Sequence, residues 1–301
     1  MSRNVIKVKN PFGDTIYGYA WTCGKPKANI LIFTGMQETA IRYDEFAKFL
    51  NEHHYDVYCL DHYGQGLNIN KDENYGIWPK SGFSKMVKTF GELANQLSET
   101  GLDNYVFGHS MGSFMVQEYI QRYNRYVGKA IICGTDYSSP CKMRLAYCLA
   151  RFLTPNRKRD FTSKKLAKLV TGPFAKAVKN RRTDFDWLSY NKENVDKYIA
   201  DPLCGFTATG GFYTEFIKGA ARPCQKRYMK KIHKTIHLFL IAGAEDPVGH
   251  MGKGPTKLAN AYKKLGVRDV QLKIYPNMRH EILNENGRKH VYQDVVEFLD
   301  K

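Results

Sequence analysis

The chain predicts an α/β fold in three layers: a mostly parallel central sheet flanked by helices, with a helical insertion before the last two strands. Three features of its 301 residues carry that expectation. Short apolar runs without alternation recur along the chain, as in strands covered on both faces. Between them, apolar residues fall three and four apart, the stripe of a helix packed on one side. The rhythm breaks once, after Cys133, and resumes at His237.

Taken in order, Thr15–Trp21 alternates and reads as an early strand. Ala28–Phe33 (ANILIF) is a short apolar run ending at a glycine turn, Gly35. Tyr43, Phe46 and Leu50 place a helical stripe after it. Asp56–Leu60 (DVYCL) is the next strand, followed by the turn-rich Asp61–Gly66. Phe83, Met86, Val87, Phe90, Leu93 and Leu97 mark a helix, Tyr105–Gly108 a strand, Met115, Tyr119 and Tyr123 a helix, and Lys129–Cys133 a strand. Such alternation implies right-handed crossovers between parallel strands. From about Tyr137 to Lys231 the chain is helical in flavour, aromatic and basic. His237–Ala242 (HLFLIA) and Val270–Tyr275 (VQLKIY) are the last strands, and Tyr292, Val295, Val296 and Leu299 a final helix. The expected organisation is one core from residues 1–136 and 232–301 with 137–231 as a helical cap. Two independent domains would orphan the last two strands.

Composition excludes several classes. Hydrophobic residues make up 43% of the chain and charged residues 25%, so the bulk is not disordered. No apolar run approaches the ~20 residues of a membrane span, and the first residues lack the apolar stretch of a secretory signal. Seven scattered cysteines with no CxxC pair read as reduced thiols of a cytoplasmic protein, not a disulfide frame or zinc site.

The sharpest motif is Gly108-His109-Ser110-Met111-Gly112, directly after a predicted strand and before a helical stripe. A GxSxG in that context is a strand-to-helix elbow that projects a nucleophilic serine from the sheet edge. A serine hydroxyl needs a base, and the base an orienting acid. In a fold of this kind they follow in the order serine, acid, histidine. Asp246 lies just after the strand His237–Ala242, and His280 just after Val270–Tyr275. Glu245 competes as the acid. His250 precedes the last strand, His290 falls on the final helix, and His233 and His237 straddle a strand start, which disfavours a metal pair. Acyl transfer also needs two donors for the oxyanion. The Met111 N–H follows the nucleophile, and the Met36 N–H in Thr34-Gly35-Met36-Gln37-Glu38 is the second candidate.

With these residues in hand, the chain resembles the α/β-hydrolase superfamily over nearly its whole length. The nearest branch holds monoacylglycerol lipases, bacterial lysophospholipases and serine aminopeptidase-type hydrolases. The resemblance rests on Gly35, Glu38 and Arg42-Tyr43; on Asp61, Gly64 and Gly66; on the GHSMG elbow; and on Asp246-Pro247-Val248 and Arg279-His280-Glu281. Asp201-Pro202-Leu203-Cys204-Gly205-Phe206 looks like a string from the caps of lysophospholipase-like members. Two departures stand out: Thr34 where the family usually has His, and His62 where it usually has Arg. The resemblance implies the α/β-hydrolase fold, a cap over the site, no cofactor, and hydrolysis of a small-molecule carboxylic ester, a lysophospholipid or monoacylglycerol. The cap aromatics Phe161, Phe174, Phe185, Trp187, Phe206, Phe212 and Phe216 are candidates to line an acyl pocket.

An aminopeptidase or amidase is the alternative within the fold. It would need an acidic cluster for the substrate amine, which a basic insertion does not suggest. Outside enzymes, a balance of 46 Lys and Arg against 29 Asp and Glu, net +17, raises nucleic-acid binding, but no recognition motif accompanies it. A silent binding module leaves an ordered triad unexplained. Residues 137–231 hold 21 Lys and Arg against 7 Asp and Glu. That charge suits peripheral contact between the cap and an anionic membrane surface, or simple solubility.

Overall fold

A computed structural model describes residues 2–69, 75–124, 126–137 and 139–301. Among these described residues, eight strands form one sheet: β1 (Ser2–Lys9), β2 (Thr15–Thr22), β3 (Ala28–Phe33), β4 (Tyr55–Leu60), β5 (Asp103–His109), β6 (Lys129–Cys133), β7 (His237–Gly243) and β8 (Asp269–Tyr275). Their spatial order is β1-β2-β4-β3-β5-β6-β7-β8. The first two join antiparallel, and everything from β4 to β8 pairs parallel. Helices α1 (Asp44–Glu52), α2 (Gly82–Ser98) and α3 (Met111–Arg122) connect the earlier strands. Between β6 and β7 come α4 (Pro140–Leu153), α5 (Lys164–Val170), α6 (Gly172–Ala177), α7 (Lys192–Ala200), α8 (Gly210–Ala221) and α9 (Lys226–Met229). The chain ends with α10 (Lys253–Lys264) and α11 (Arg288–Asp300). This is the α/β-hydrolase fold.

The apolar runs are continuous because each strand feeds two cores. In β3, Leu31 and Phe33 join the cluster under α2 and α3, while Ile30 and Ile32 join the cluster under α1 and α11. Alternate residues of a strand face opposite ways, so both faces of the sheet are apolar. Phe33 stacks on Phe90 of α2 at 3.6 Å between ring centroids, and Phe46 of α1 meets Tyr292 of α11 at 5.0 Å. Sequence patterning did not reveal β1. It is mostly exposed, with Val8 its one buried apolar residue, and is held by backbone pairing to β2. Among the described residues no helix is long and apolar enough to cross a membrane.

Candidate active site

Ser110 sits between the end of β5 and the start of α3 with φ +54° and ψ −118°. The turn is possible only because of its glycines. A Cβ on Gly108 would lie 2.4 Å from the Gly112 carbonyl oxygen, and one on Gly112 would lie 2.0 Å from the Phe33 carbonyl oxygen. The Ser110 N–H donates to the Cys133 carbonyl at 3.0 Å, which ties the elbow to the neighbouring strand. Met111 opens α3, so its N–H has no acceptor within the helix.

The loops after β7 and β8 bring Asp246 and His280 together. The Nδ1 of His280 meets Oδ1 of Asp246 at 3.0 Å, with both side chains almost fully buried. The other oxygen, Asp246 Oδ2, and the other ring nitrogen, His280 Nε2, have no hydrogen-bond partner among the described residues. His280, Ser110, Met36 and Met111 all line one cavity of about 510 Å3. Glu245 turns away and accepts a hydrogen bond from the Tyr190 hydroxyl. His250 is exposed on the far side of the loop, 3.8 Å from Asp136, and His290 lies in α11.

The loop carrying Met36 is held by buried polar groups that sequence patterning could not assign. Gln65 accepts from the Gln37 N–H at 3.1 Å and donates to the Gly35 and Glu38 carbonyls at 3.2 and 3.0 Å. Glu38 accepts from the Gly35 N–H and, at 2.8 Å, from the Tyr43 hydroxyl. Arg42 then bridges Glu38 at 2.9 Å and Glu281 at 2.6 and 2.7 Å. Asn194 of α7 closes the network, accepting from Arg42 at 3.0 Å and donating to Glu281 at 2.6 Å. Gln37 reaches the inserted segment as well. It donates to the Phe206 carbonyl, and its own carbonyl accepts from Gly205 N–H at 2.9 Å and Tyr198 hydroxyl at 3.0 Å. Thr34, at the position of the family's His, presents its carbonyl to His62 Nε2 at 3.1 Å, so the two departures meet.

Charge follows this wiring. Burial alone would raise the Glu38 carboxyl, but His109 and Arg42 outweigh it and hold it at about 2. Burial would lower His109, but Glu38, 3.6 Å away, holds it above its ordinary value. His109 also donates to the His280 carbonyl at 3.2 Å, which places an elbow residue under the histidine loop.

The inserted segment supplies much of the cavity's apolar wall, through Phe174, Phe185, Trp187, Phe206 and Phe216. Two of the expected aromatics do not line it. Phe212 is fully buried and packs edge-on against Trp78, and Phe161 is 69% exposed. An aromatic residue in a cap has packing and surface roles that composition cannot separate from lining.

Residues 24–287 match the family Hydrolase_4, serine aminopeptidase, S33. The chain is 26% identical over 279 residues to a monoacylglycerol lipase of Mycolicibacterium smegmatis, covering 91% of this chain and 88% of that one. It is 26% identical over 285 residues to the human monoglyceride lipase, covering 92% and 83%. Among solved structures, a thermostable carboxyl esterase from Bacillus coagulans superposes with a TM-score of 0.89 at 24% identity, covering 100% and 98%. That last likeness speaks to the fold. The family match spans all but the two ends of the chain and includes the Ser110 elbow and the Asp246 and His280 loops, and this chain belongs to the serine aminopeptidase S33 family of α/β-hydrolases.

Proposed function

We propose that the protein is a serine hydrolase of carboxylic esters that works through an acyl-enzyme on Ser110. The observation that carries this reading is the buried His280–Asp246 contact at 3.0 Å, with His280 Nε2 left free in the cavity that Ser110 lines. In it, His280 Nε2 takes the Ser110 proton as Oγ attacks the acyl carbon, and Asp246 holds the tautomer and the resulting cation. The Met36 and Met111 N–H groups receive the oxyanion. His280 returns the proton to the leaving alcohol, and water attacks the acyl carbon by the same route. Ser110→Ala should lower ester turnover by roughly 10⁶-fold and abolish fluorophosphonate labelling in a folded protein. Retained turnover or labelling in that variant would remove Ser110 from the role.

Residues 137–231 act in this proposal as a cap whose aromatic wall takes the acyl chain. A long-chain monoester, a lysophospholipid or monoacylglycerol, suits that wall. The curated relatives named as monoacylglycerol and monoglyceride lipases are consistent with it. Lys168 and Lys176 at the cavity lining are exposed cations, which favours a phosphate-bearing head over a neutral one. Matched lysophosphatidylcholine and monoacylglycerol substrates of one chain length distinguish the two. The aminopeptidase reading is disfavoured because the buried acids of the cavity, Glu38 and Glu281, are already engaged by Arg42. Greater kcat/KM on an amino-acid anilide than on a short ester would reverse that preference. A cytoplasmic location and a peripheral contact of the basic cap with an anionic membrane complete the reading.

A further inference from the structure

A separate hollow, of about 550 Å3, opens where the C-terminal end of α3 meets α8 and α9. It shares no residue with the cavity of Ser110. Arg122 closes α3, so at 1.5 Å per residue it lies about 18 Å from Ser110 along the helix. In the hollow, Arg122 of the core meets Arg222, Tyr228 and Lys231 of the inserted segment. Among the described residues its lining holds three cations and no carboxylate. Two amides of α3 fix its walls. Gln121 donates to the Pro223 carbonyl at 2.9 Å, and Asn124 donates to the Lys231 carbonyl at 2.6 Å.

One buried acid organises the charge. Glu118, 1% exposed, lies one turn before Arg122 in α3. Its Oε1 pairs with Arg122 at 2.6 Å and with Arg222 at 2.8 Å. Arg122 is pinned further by Ser84 Oγ, to which it donates at 2.8 Å. Arg222 Nη1 has this ion pair but no hydrogen bond among the described residues, so its guanidinium has donors to spare. Three cations crowd a single phenol. The Tyr228 ring centroid lies 4.1 Å from Arg222, 4.7 Å from Arg227 and 5.6 Å from Lys231. Arg222 beside the Tyr228 hydroxyl, with Arg227 and Lys231 near it, holds that phenol below its ordinary value. Four cations thus converge around one carboxylate.

Like charges this close repel, and a surface that serves solubility alone intersperses the two signs. An anion seated in the hollow turns the repulsion into attraction. A carboxylate brings one charge and two oxygens, too few for two guanidinium groups and an ammonium. A phosphate brings up to two charges and three acceptor oxygens, which guanidinium forks match in pairs. Nucleic acid fits poorly, because Tyr228 is engaged by cations and offers no free ring for a base to stack on. We propose that this hollow binds a compact phosphate-bearing anion, a phosphate monoester or a diphosphate, through Arg122, Arg222 and Lys231. The site stands apart from the catalytic cavity and does not rest on the esterase reading.

The test is calorimetric titration of the full chain with inorganic pyrophosphate, inorganic phosphate and glycerol 3-phosphate, all at one ionic strength set with sodium chloride. The wild type should bind saturably at a single site. Lys231→Gln with Arg227→Gln should weaken that binding by roughly tenfold or more. Both side chains are exposed and the pair leaves the Glu118 contacts intact, so its melting curve should match the wild type. Arg222→Lys keeps a cation beside Glu118 but removes the fork, and should also cost roughly tenfold. Lys168→Gln with Lys176→Gln removes the same charge at the cavity of Ser110 and should bind as the wild type does, as should Ser110→Ala. Tightest binding of glycerol 3-phosphate assigns the occupant to lipid-derived head groups, and of either inorganic ion to free phosphates. Absence of saturable binding, equal affinity of the Lys231, Arg227 pair and the wild type, or an equal loss in the Lys168, Lys176 pair would each overturn the proposal.

Discussion

At Ser110 the backbone holds a left-handed φ of +54° that a serine rarely adopts, a strain on the order of 1–3 kcal/mol. The surrounding strands and glycines impose it, and the hydroxyl is aimed at the cavity as a result. The acid assignment can be tested at the same scale. Asp246 faces His280, whereas Glu245 accepts from Tyr190 on the other side of the loop. Asp246→Asn should therefore cost on the order of 10⁴-fold in kcat, because an amide stabilises the wrong His280 tautomer. Glu245→Gln should leave kcat within a few-fold, and steady-state rates for the pair would expose a misassignment by one residue. Glu38 offers a second test. Its carboxyl is held at about 2 against an ordinary 4.5, so its ion pairs stabilise the fold above the ordinary value and are lost as pH falls toward the lower one. Glu38→Gln should flatten the melting temperature against pH between about 4.5 and 2. Parallel acid limbs for the two chains would show that Glu38 is not the group titrating there.

At the scale of elements, the elbow is the part most rigidly specified. Gly112→Ala puts a methyl group 2.0 Å from a backbone oxygen of β3, which cannot rotate away. The sheet or the helix must move, and a loss of several kcal/mol is expected, seen as a lowered melting temperature or as insoluble protein. A variant melting with the wild type would mean that the elbow relaxes more easily than the geometry implies. Elements that bury residues on both faces were legible from sequence, as were helices with a broad stripe. β3, β6, α2 and α11 are of this kind. β1 was not, because an exposed edge strand is made by pairing and leaves little apolar pattern. Nor was α10, whose buried face is narrow, with Leu258 and Tyr262 set among four lysines. The elbow and the loops of Asp246 and His280 were legible because the fold dictates their order along the chain. Gln65 and Asn194 were not, because the partners of a buried amide are set by three-dimensional closure alone.

At the scale of the molecule, Arg42 links three parts of the chain that no local pattern connects. It binds Glu38 in the loop of Met36, Glu281 beside His280, and Asn194 on α7 of the inserted segment, and its guanidinium lies 4.8 Å over the Tyr198 ring. Both carboxylates are nearly buried, so their charges are tolerable only with this partner. Arg42→Met keeps the volume but strands them, a change expected to cost about 3–5 kcal/mol. For a chain of this size that is a fall in melting temperature on the order of 10 °C. The loss should depend on pH in a definite direction. Without Arg42, repulsion and burial raise the carboxyls, so the folded variant binds protons more readily than its unfolded chain. Its deficit should be largest at neutral and alkaline pH and shrink as the solution is acidified toward the carboxylate range. Turnover should fall with it, because the Met36 loop and the His280 loop lose their common anchor. A constant deficit across pH, measured by calorimetry on wild type and variant together, would mean that Arg42 acts through packing on Tyr198 and not through the two acids.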